Sequence, residues 1–276
     1  MSSKNKTMVL DKAPILHVQT KNTRKFRNKN NSVPQFTKNG PFRLTVIGNT
    51  GSGKTFMLMS LIGMLSFDTI SIYAKNINQP VYEDLLDSIA QVEENIGESI
   101  SYIGESISEM LKVEEYDADK QNLIIIDDFM TDSNNAVMTD YFIRSRPQNC
   151  AVVYLAQAFF NTPKIIREQS NYFILYKGIT RERLGQIYRQ IGSTVELNDF
   201  VRAYNYAIEK TPGQPEEINN FLFIDKNNEG NKLYLRKNFD EPIDLNDTHS
   251  FNSGLHQGRS GQGFSREDYI KRFTKR

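Results

Sequence analysis

Two kinds of apolar run alternate along this chain. Leu44-Thr45-Val46-Ile47, Leu123-Ile124-Ile125-Ile126, Ala151-Val152-Val153-Tyr154-Leu155 and Asn171-Tyr172-Phe173-Ile174-Leu175-Tyr176 lack the in-and-out alternation of a half-exposed strand. All four predict strands, and Leu123–Ile126, four apolar residues in a row, predicts one covered on both faces as in a parallel sheet. Ile70-Ser71-Ile72-Tyr73, β-branched and aromatic, predicts one more short strand. Helical segments are expected between them, at residues 53–65, at 82–90 with Tyr82, Leu85, Leu86 and Ile89 on one face, and at 134–145. Two further helices are expected at 164–169, with Pro163 at its start, and at 197–210. Across the acidic stretch 83–119 the apolar positions Ile96, Ile100, Ile103, Ile107, Met110 and Leu111 recur every three or four residues and predict that most of it is one or two amphipathic helices, with Gly97 and Gly104 as interruptions. After the breaker Thr211-Pro212-Gly213-Gln214-Pro215, the runs Phe221-Leu222-Phe223-Ile224-Asp225 and Lys232-Leu233-Tyr234-Leu235-Arg236 predict a hairpin. The implied architecture is α/β, a mostly parallel central sheet flanked by helices, with a C-terminal antiparallel hairpin.

The handover from the first strand to the first helix reads Gly48-Asn49-Thr50-Gly51-Ser52-Gly53-Lys54-Thr55. Small residues there let consecutive backbone N–H groups curl around a phosphate, and a side chain at Gly48, Gly51 or Gly53 would strain the turn or block the approach. Lys54 then suits the β- and γ-phosphates, Thr55 offers a hydroxyl to Mg²⁺, and the helix start adds a partial positive charge. A flexible Gly/Ser turn is the bland alternative, but every fixed position of the pattern is satisfied and a strand and a helix stand on the correct sides. Asp127 and Asp128 end an apolar strand where parallel sheets place their ligands. Asp127 is expected to hold the metal's hydration shell and Asp128 to orient or deprotonate the attacking water. A plain acidic turn is the other reading of that pair.

Gln157 ends the strand at 151–155 and suits a hydrogen bond to the lytic water or the γ-phosphate, a polar cap being the alternative. Arg144 and Arg146 lie at a helix-to-strand junction, at the end of the sheet away from the phosphate loop. They suit a neighbouring subunit's nucleotide better than their own, and a surface or DNA-facing role is the competing account of each. Lys177, Arg181 and Arg183, beside Tyr188 and Arg189, form a basic patch interleaved with aromatic residues that suits DNA or a subunit contact.

Composition narrows the class. A net charge of +1 over 276 residues says little about partners, but its distribution is uneven. Lys21, Arg24, Lys25, Arg27 and Lys29 have no acid among them, and Arg266, Lys271, Arg272, Lys275 and Arg276 make a second basic end. The first suits phosphate contacts or a solvated leader. The stretch 83–119 is acidic and a poor place for DNA; it suits a solvated face or a basic neighbour. A single cysteine, Cys150, excludes an internal disulfide, and His17, His249 and His256 lack metal-ligand spacing. No apolar run approaches the roughly 20 residues of a membrane span, and no signal peptide is apparent, so a soluble intracellular protein is expected. The divisions expected are a basic arm at 1–37, a phosphate-loop domain at 38–240 and a polar, basic tail at 241–276, whose Gly/Ser/Gln-rich part is flexible.

Taken together, the loop from Gly48 to Thr55, Leu123 to Asp128, Arg144-Ser145-Arg146 followed by Val152-Val153-Tyr154-Leu155-Ala156-Gln157-Ala158, then Thr162-Pro163-Lys164 and Asn171-Tyr172-Phe173-Ile174-Leu175, resemble the poxvirus-type genome-packaging ATPases. These belong to the FtsK/HerA superfamily and occur also in other large DNA viruses, virophages and related mobile elements. The similarity covers roughly residues 40–236. It implies a RecA-like P-loop NTPase that uses ATP and Mg²⁺ and moves double-stranded DNA into a preformed capsid, at a capsid or portal vertex. A homo-oligomeric ring, pentamer or hexamer, is implied, acting in the host cytoplasm or at a viral assembly site, or associated with the virion, and without a membrane. By position Lys54 and Thr55 take the Walker-A roles, Asp127 the metal role, Asp128 the catalytic carboxylate, Gln157 the sensor, and Arg144 or Arg146 the trans arginine. Asp128 departs from the glutamate that many members carry, so its carboxylate must stand closer to the water. A related helicase or conjugation-type DNA pump, and a nucleotide-gated capsid interaction protein, are the alternatives.

Overall fold

The computed structural model describes residue 36 and residues 40–127, 129, 136–193, 195–214, 218–227, 234–239 and 241–245. The expected basic arm, apart from Phe36, most of the tail, and the first residues of the helix at 134–145 lie outside them. The short apolar runs are all strands: β1 Arg43–Ile47, β2 Thr69–Ala74, β4 Asn122–Asp127, β5 Cys150–Ala156 and β6 Tyr172–Tyr176. With β3 Ser101–Gly104 and the terminal strands β7 Phe221–Asp225, β8 Tyr234–Lys237 and β9 Glu241–Pro242, they form one sheet in the order β3-β2-β4-β5-β1-β6-β7-β8-β9. From β3 to β6 every pairing is parallel, and from β6 to β9 every pairing is antiparallel. Parallel neighbours require long crossovers, so the helices are carried to the two faces of the sheet.

Side chains of each strand divide between those faces. Leu123 and Ile125 of β4, Val153 and Leu155 of β5, and Leu44 and Val46 of β1 point to one side. There they pack on α1 Lys54–Met64 through Met57, Leu58, Leu61 and Ile62, and on α2 Pro80–Ile96 through Tyr82, Leu85 and Ile89. Ile124, Ile126, Val152, Tyr154, Phe173 and Leu175 point to the other side. That side is covered by α3 Ala136–Arg144, α4 Lys164–Gln169, α5 Arg181–Ile191 and α6 Leu197–Ile208. Two closed faces explain why these strands show no alternation. The hairpin's core is aromatic, and Phe36, inside the expected arm, is fully buried there, its ring 4.7 Å from that of Phe42 and 5.0 Å from that of Tyr172.

One expectation is corrected. The acidic segment 97–119 is not helical: α2 ends at Gly97, β3 then adds to the sheet edge beside β2, and two short 3-10 turns follow at Ile107–Glu109 and Val113–Glu115. One carboxylate oxygen of Glu93 accepts the backbone N–H groups of Ile100 (2.7 Å) and Ser101 (2.8 Å), which starts the strand. The edge of β2 offers these residues a hydrogen-bond ladder, and the apolar spacing is shared among a helix end, a strand and turns. The segment 181–191, which carries part of the basic patch and for which the sequence reading named no element, is a helix with Thr180 as its N-cap and Leu184, Ile187 and Ile191 buried. Its apolar spacing was present in the sequence, overshadowed by the charges.

Candidate active site

The phosphate loop leaves the sheet at the C-terminal end of β1. Gly48 donates its N–H to Ala156 O at 3.0 Å, extending the β1–β5 ladder by one bond before the chain turns. A Cβ at Gly48 would lie 2.3 Å from Ser52 Oγ and 2.9 Å from Tyr176 Cδ2, so only glycine fits between the loop and the end of β6. Gly51 and Gly53 adopt φ values of 75° and 91°, after which Met57 N–H bonds Gly53 O at 3.0 Å and α1 begins. The Tyr176 hydroxyl donates to Gly53 O at 3.2 Å and braces the loop from behind. Lys54 Nζ donates to Gly48 O (2.6 Å) and Asn49 O (3.1 Å), so its ammonium already lies across the loop. Ser52 Oγ is buried without a hydrogen-bond partner among the described residues, a cost tolerated where a ligand completes the bonding.

Sheet order assembles the rest. β5 stands between β1 and β4, with Ile47 opposite Ala156 and Asp127 opposite Leu155. Gln157, exposed and one residue beyond β5, therefore lies between the loop and Asp127. Asp127 is half-buried, and its Oδ2 accepts the Tyr82 hydroxyl at 2.6 Å. Tyr82 is buried and reads in the sequence as an ordinary core position of α2; no local signal marks it as a partner of Asp127. Asp128 lies outside the described residues.

The cradle fits a phosphate and a magnesium ion. Space for close approach at Gly48, the unpartnered Ser52 hydroxyl and the Lys54 ammonium suit the phosphate. Thr55, half-buried in the first turn of α1, and Asp127 are oxygen donors suited to a magnesium ion that takes its remaining ligands from phosphate and water.

Arg144 and Arg146 lie at the other end of the strands, just before β5 begins at Cys150. Arg144 is paired with Asp140 at 2.9 Å and with Glu114. Arg146 has no carboxylate partner among the described residues, and its neighbour is another cation. Burial, and then the charge of Arg146, push the Arg43 guanidinium below its usual range. Arg43 instead donates to neutral acceptors, Phe142 O at 2.6 Å and Gln169 Oε1 at 3.3 Å. Burial pushes the Cys150 thiol up to about 12, so it serves as packing rather than as a nucleophile. Lys177 and Arg183 of the expected basic patch border the cleft beside the phosphate loop, together with Gly48, Asn49 and Gln157.

The family model of the poxvirus A32 protein matches residues 31–215. This chain belongs to that family. It is a P-loop NTP hydrolase. Among solved structures, the genome packaging NTPase B204 from Sulfolobus turreted icosahedral virus 2, in complex with sulfate, is similar with a TM-score of 0.45 and 12% identity, over 74% of this chain and 97% of that one. B204 from Sulfolobus turreted icosahedral virus, a DNA-packaging ATPase, has a TM-score of 0.46 and 13% identity, over 73% and 97%. The pCW3 conjugation coupling protein TcpA with ATPgS gives 0.39 and 13%, over 75% and 62%. B204 of the former virus has also been solved with AMP, AMPPCP and ATP-gammaS. No curated protein sequence matches the chain. Among the described residues no helix is long and apolar enough to cross a membrane.

Proposed function

We propose that this protein is the ATP-hydrolysing motor of a double-stranded DNA virus, a ring of five or six copies that drives the genome into a preformed capsid at its portal vertex. The observation that carries the reading is the separation within one subunit. Loop, Asp127 and Gln157 are at one end of the strands, and Arg144 and Arg146 are at the other. A subunit cannot bring its own arginines to its own loop, whereas a head-to-tail ring brings one to the next. Of the two, Arg146 is favoured as the trans finger, because Arg144 is already held by Glu114 and Asp140.

In the proposed reaction water attacks the γ-phosphorus of ATP in line, the bond to the β–γ bridging oxygen breaks, and ADP and inorganic phosphate are released. Lys54 exchanges the carbonyls of Gly48 and Asn49 for β- and γ-phosphate oxygens and balances the charge that develops there. Thr55 and Asp127 would hold Mg²⁺, which when bound would supply charge neutralisation at the phosphates, and Tyr82 fixes the Asp127 carboxylate. Gln157 orients the water and Asp128 takes its proton. The basic arm and tail are assigned to DNA phosphates.

The test is ATP hydrolysis with and without duplex DNA, in wild type and Lys54→Ala, alongside displacement of a bound triplex strand as a readout of translocation. DNA-stimulated hydrolysis with triplex displacement and no unwinding is expected. Unwinding of a forked duplex would make the protein a helicase, and nucleotide binding with no DNA stimulation in the assembled ring would make it a nucleotide-gated capsid protein. Mixed rings of Arg146→Ala and Lys54→Ala subunits should regain part of the activity; if no mixing ratio does so, Arg146 is not the trans finger.

A further inference from the structure

We infer that Lys177 and Arg183 act in cis on the terminal phosphate of the bound nucleotide, so that the part of the basic patch nearest the loop reads the triphosphate rather than DNA. The inference rests on the nucleotide site of the P-loop and not on genome packaging. Both side chains are exposed and border the cleft that Gly48, Asn49 and Gln157 also line. Gly48 and Asn49 are the two loop residues whose carbonyls hold the Lys54 ammonium, the group that meets the β- and γ-phosphates. The cleft therefore adjoins the part of the loop that the Lys54 ammonium spans, and Gln157 also borders it.

The segment that carries these cations is held in place. β6 pairs with β1 up to Ile47 opposite Leu175, which brings Lys177 alongside the start of the loop. Gly178 follows with φ 108°, and a Cβ there would lie 3.0 Å from Asn49 Nδ2, so the connection is pressed against the loop at a point where only glycine is unstrained. The Tyr204 hydroxyl of α6 accepts Ile179 N–H at 3.1 Å and donates to Tyr176 O at 2.8 Å. Thr180 then caps α5 by accepting from Arg183 N–H, and fixes where the Arg183 side chain starts. Neither Lys177 nor Arg183 has a carboxylate partner among the described residues, and Glu182, next to Arg183, pairs with neither. Cations left unpaired on a rigid support, facing a phosphate cradle, are pre-organised for an anion. A third phosphate supplies the charge that a nucleoside diphosphate lacks there.

Equilibrium binding of fluorescent ATPγS and ADP, each with magnesium, tests this on the full chain in wild type, Lys177→Ala, Arg183→Ala, the double variant and Arg183→Lys. Each alanine variant is expected to lose about tenfold or more in ATPγS affinity, the size of a charge-assisted hydrogen bond, with a change of less than about threefold for ADP. Arg183→Lys should recover part of the ATPγS affinity. Duplex DNA binding, followed against salt on the same samples, should be unchanged. Equal losses for ATPγS and ADP, or unaltered nucleotide binding with weakened DNA binding, would overturn the inference, the latter assigning the patch to DNA. A wild type that binds no nucleotide would remove this inference and the ATPase reading together, whereas loss of DNA stimulation alone would remove only packaging. Unchanged thermal unfolding of each variant is expected, since both side chains are exposed.

Discussion

The two ends of the parallel strands are finished in opposite ways. At the N-terminal end the cations next to the core are satisfied within the subunit. Arg43 bonds Phe142 O and Gln169 Oε1, and Arg144 is paired with Asp140 and Glu114. At the C-terminal end the polar groups are poised for something more. Lys54 leans on loop carbonyls, Ser52 Oγ is buried without a partner among the described residues, and Lys177 and Arg183 border a cleft lined by no carboxylate among them. A buried hydroxyl that finds no partner among the described residues costs stability, so Ser52 marks a place where a ligand would complete the bonding. Arg146 breaks the pattern at the N-terminal end, which is why it is the arginine assigned to a neighbouring subunit.

The contrast can be broken at the loop first. Lys54→Ala should lower ATP turnover on the order of 100- to 1,000-fold, the cost of one transition-state donor, while urea unfolding moves little. A comparable drop in both would mean that the ammonium is chiefly a structural cap for Gly48 and Asn49. Next in size, Gly48→Ala must push Ser52 and Tyr176 aside, and is expected to cost about 1–3 kcal/mol of stability together with nucleotide affinity. Retained binding in an intact fold would show that the cradle has slack.

At the opposite end, Arg43→Met should cost about 1–3 kcal/mol in urea unfolding and leave the ATPase rate per folded molecule within about twofold. A large rate loss in assembled rings would place Arg43 in a functional surface beside Arg146. Tyr82→Phe removes the hydroxyl that Asp127 accepts and is expected to cost about 1 kcal/mol. The magnesium concentration for half-maximal hydrolysis should rise in that variant, and an unchanged magnesium dependence would reduce Tyr82 to packing.

The smallest effect concerns Glu93. Burial pushes its carboxyl up, but the donors of Ser101, Ile100 and Ser99 hold it below the usual glutamate range. Its contribution to stability is therefore complete above the unfolded value of about 4.3 and is lost as pH falls through the folded value. Glu93→Gln should flatten the acid limb of the stability curve slightly, solvent screening keeping the effect modest. An identical acid limb in the variant would remove Glu93 from the anchoring of β3.

How far the sequence could be read follows from which forces are local. The strands at 44–47, 123–126, 151–155 and 172–176 were legible because burial on two faces leaves no polar position to interrupt them. The helix at 164–169 was placed to the residue by Pro163. The stretch 97–119 was misread because its apolar spacing suits a helix, whereas Gly97 and the free edge of β2 favoured a strand. The helix at 181–191 was passed over because its charges drew attention from Leu184, Ile187 and Ile191.

By itself the sequence determined the phosphate loop from Gly48 to Thr55, since its glycine and lysine pattern is a local requirement of backbone geometry. It also determined the buried strands and, through their combination, the family. Tertiary structure decided who stands beside the loop. The insertion of β5 between β1 and β4 carries Gln157 there, β6 on the other side leads into Lys177 and the start of α5 brings Arg183, and α2 delivers Tyr82 to Asp127. Strand order is set by pairing between residues far apart in the chain, and no local pattern of side chains encodes it.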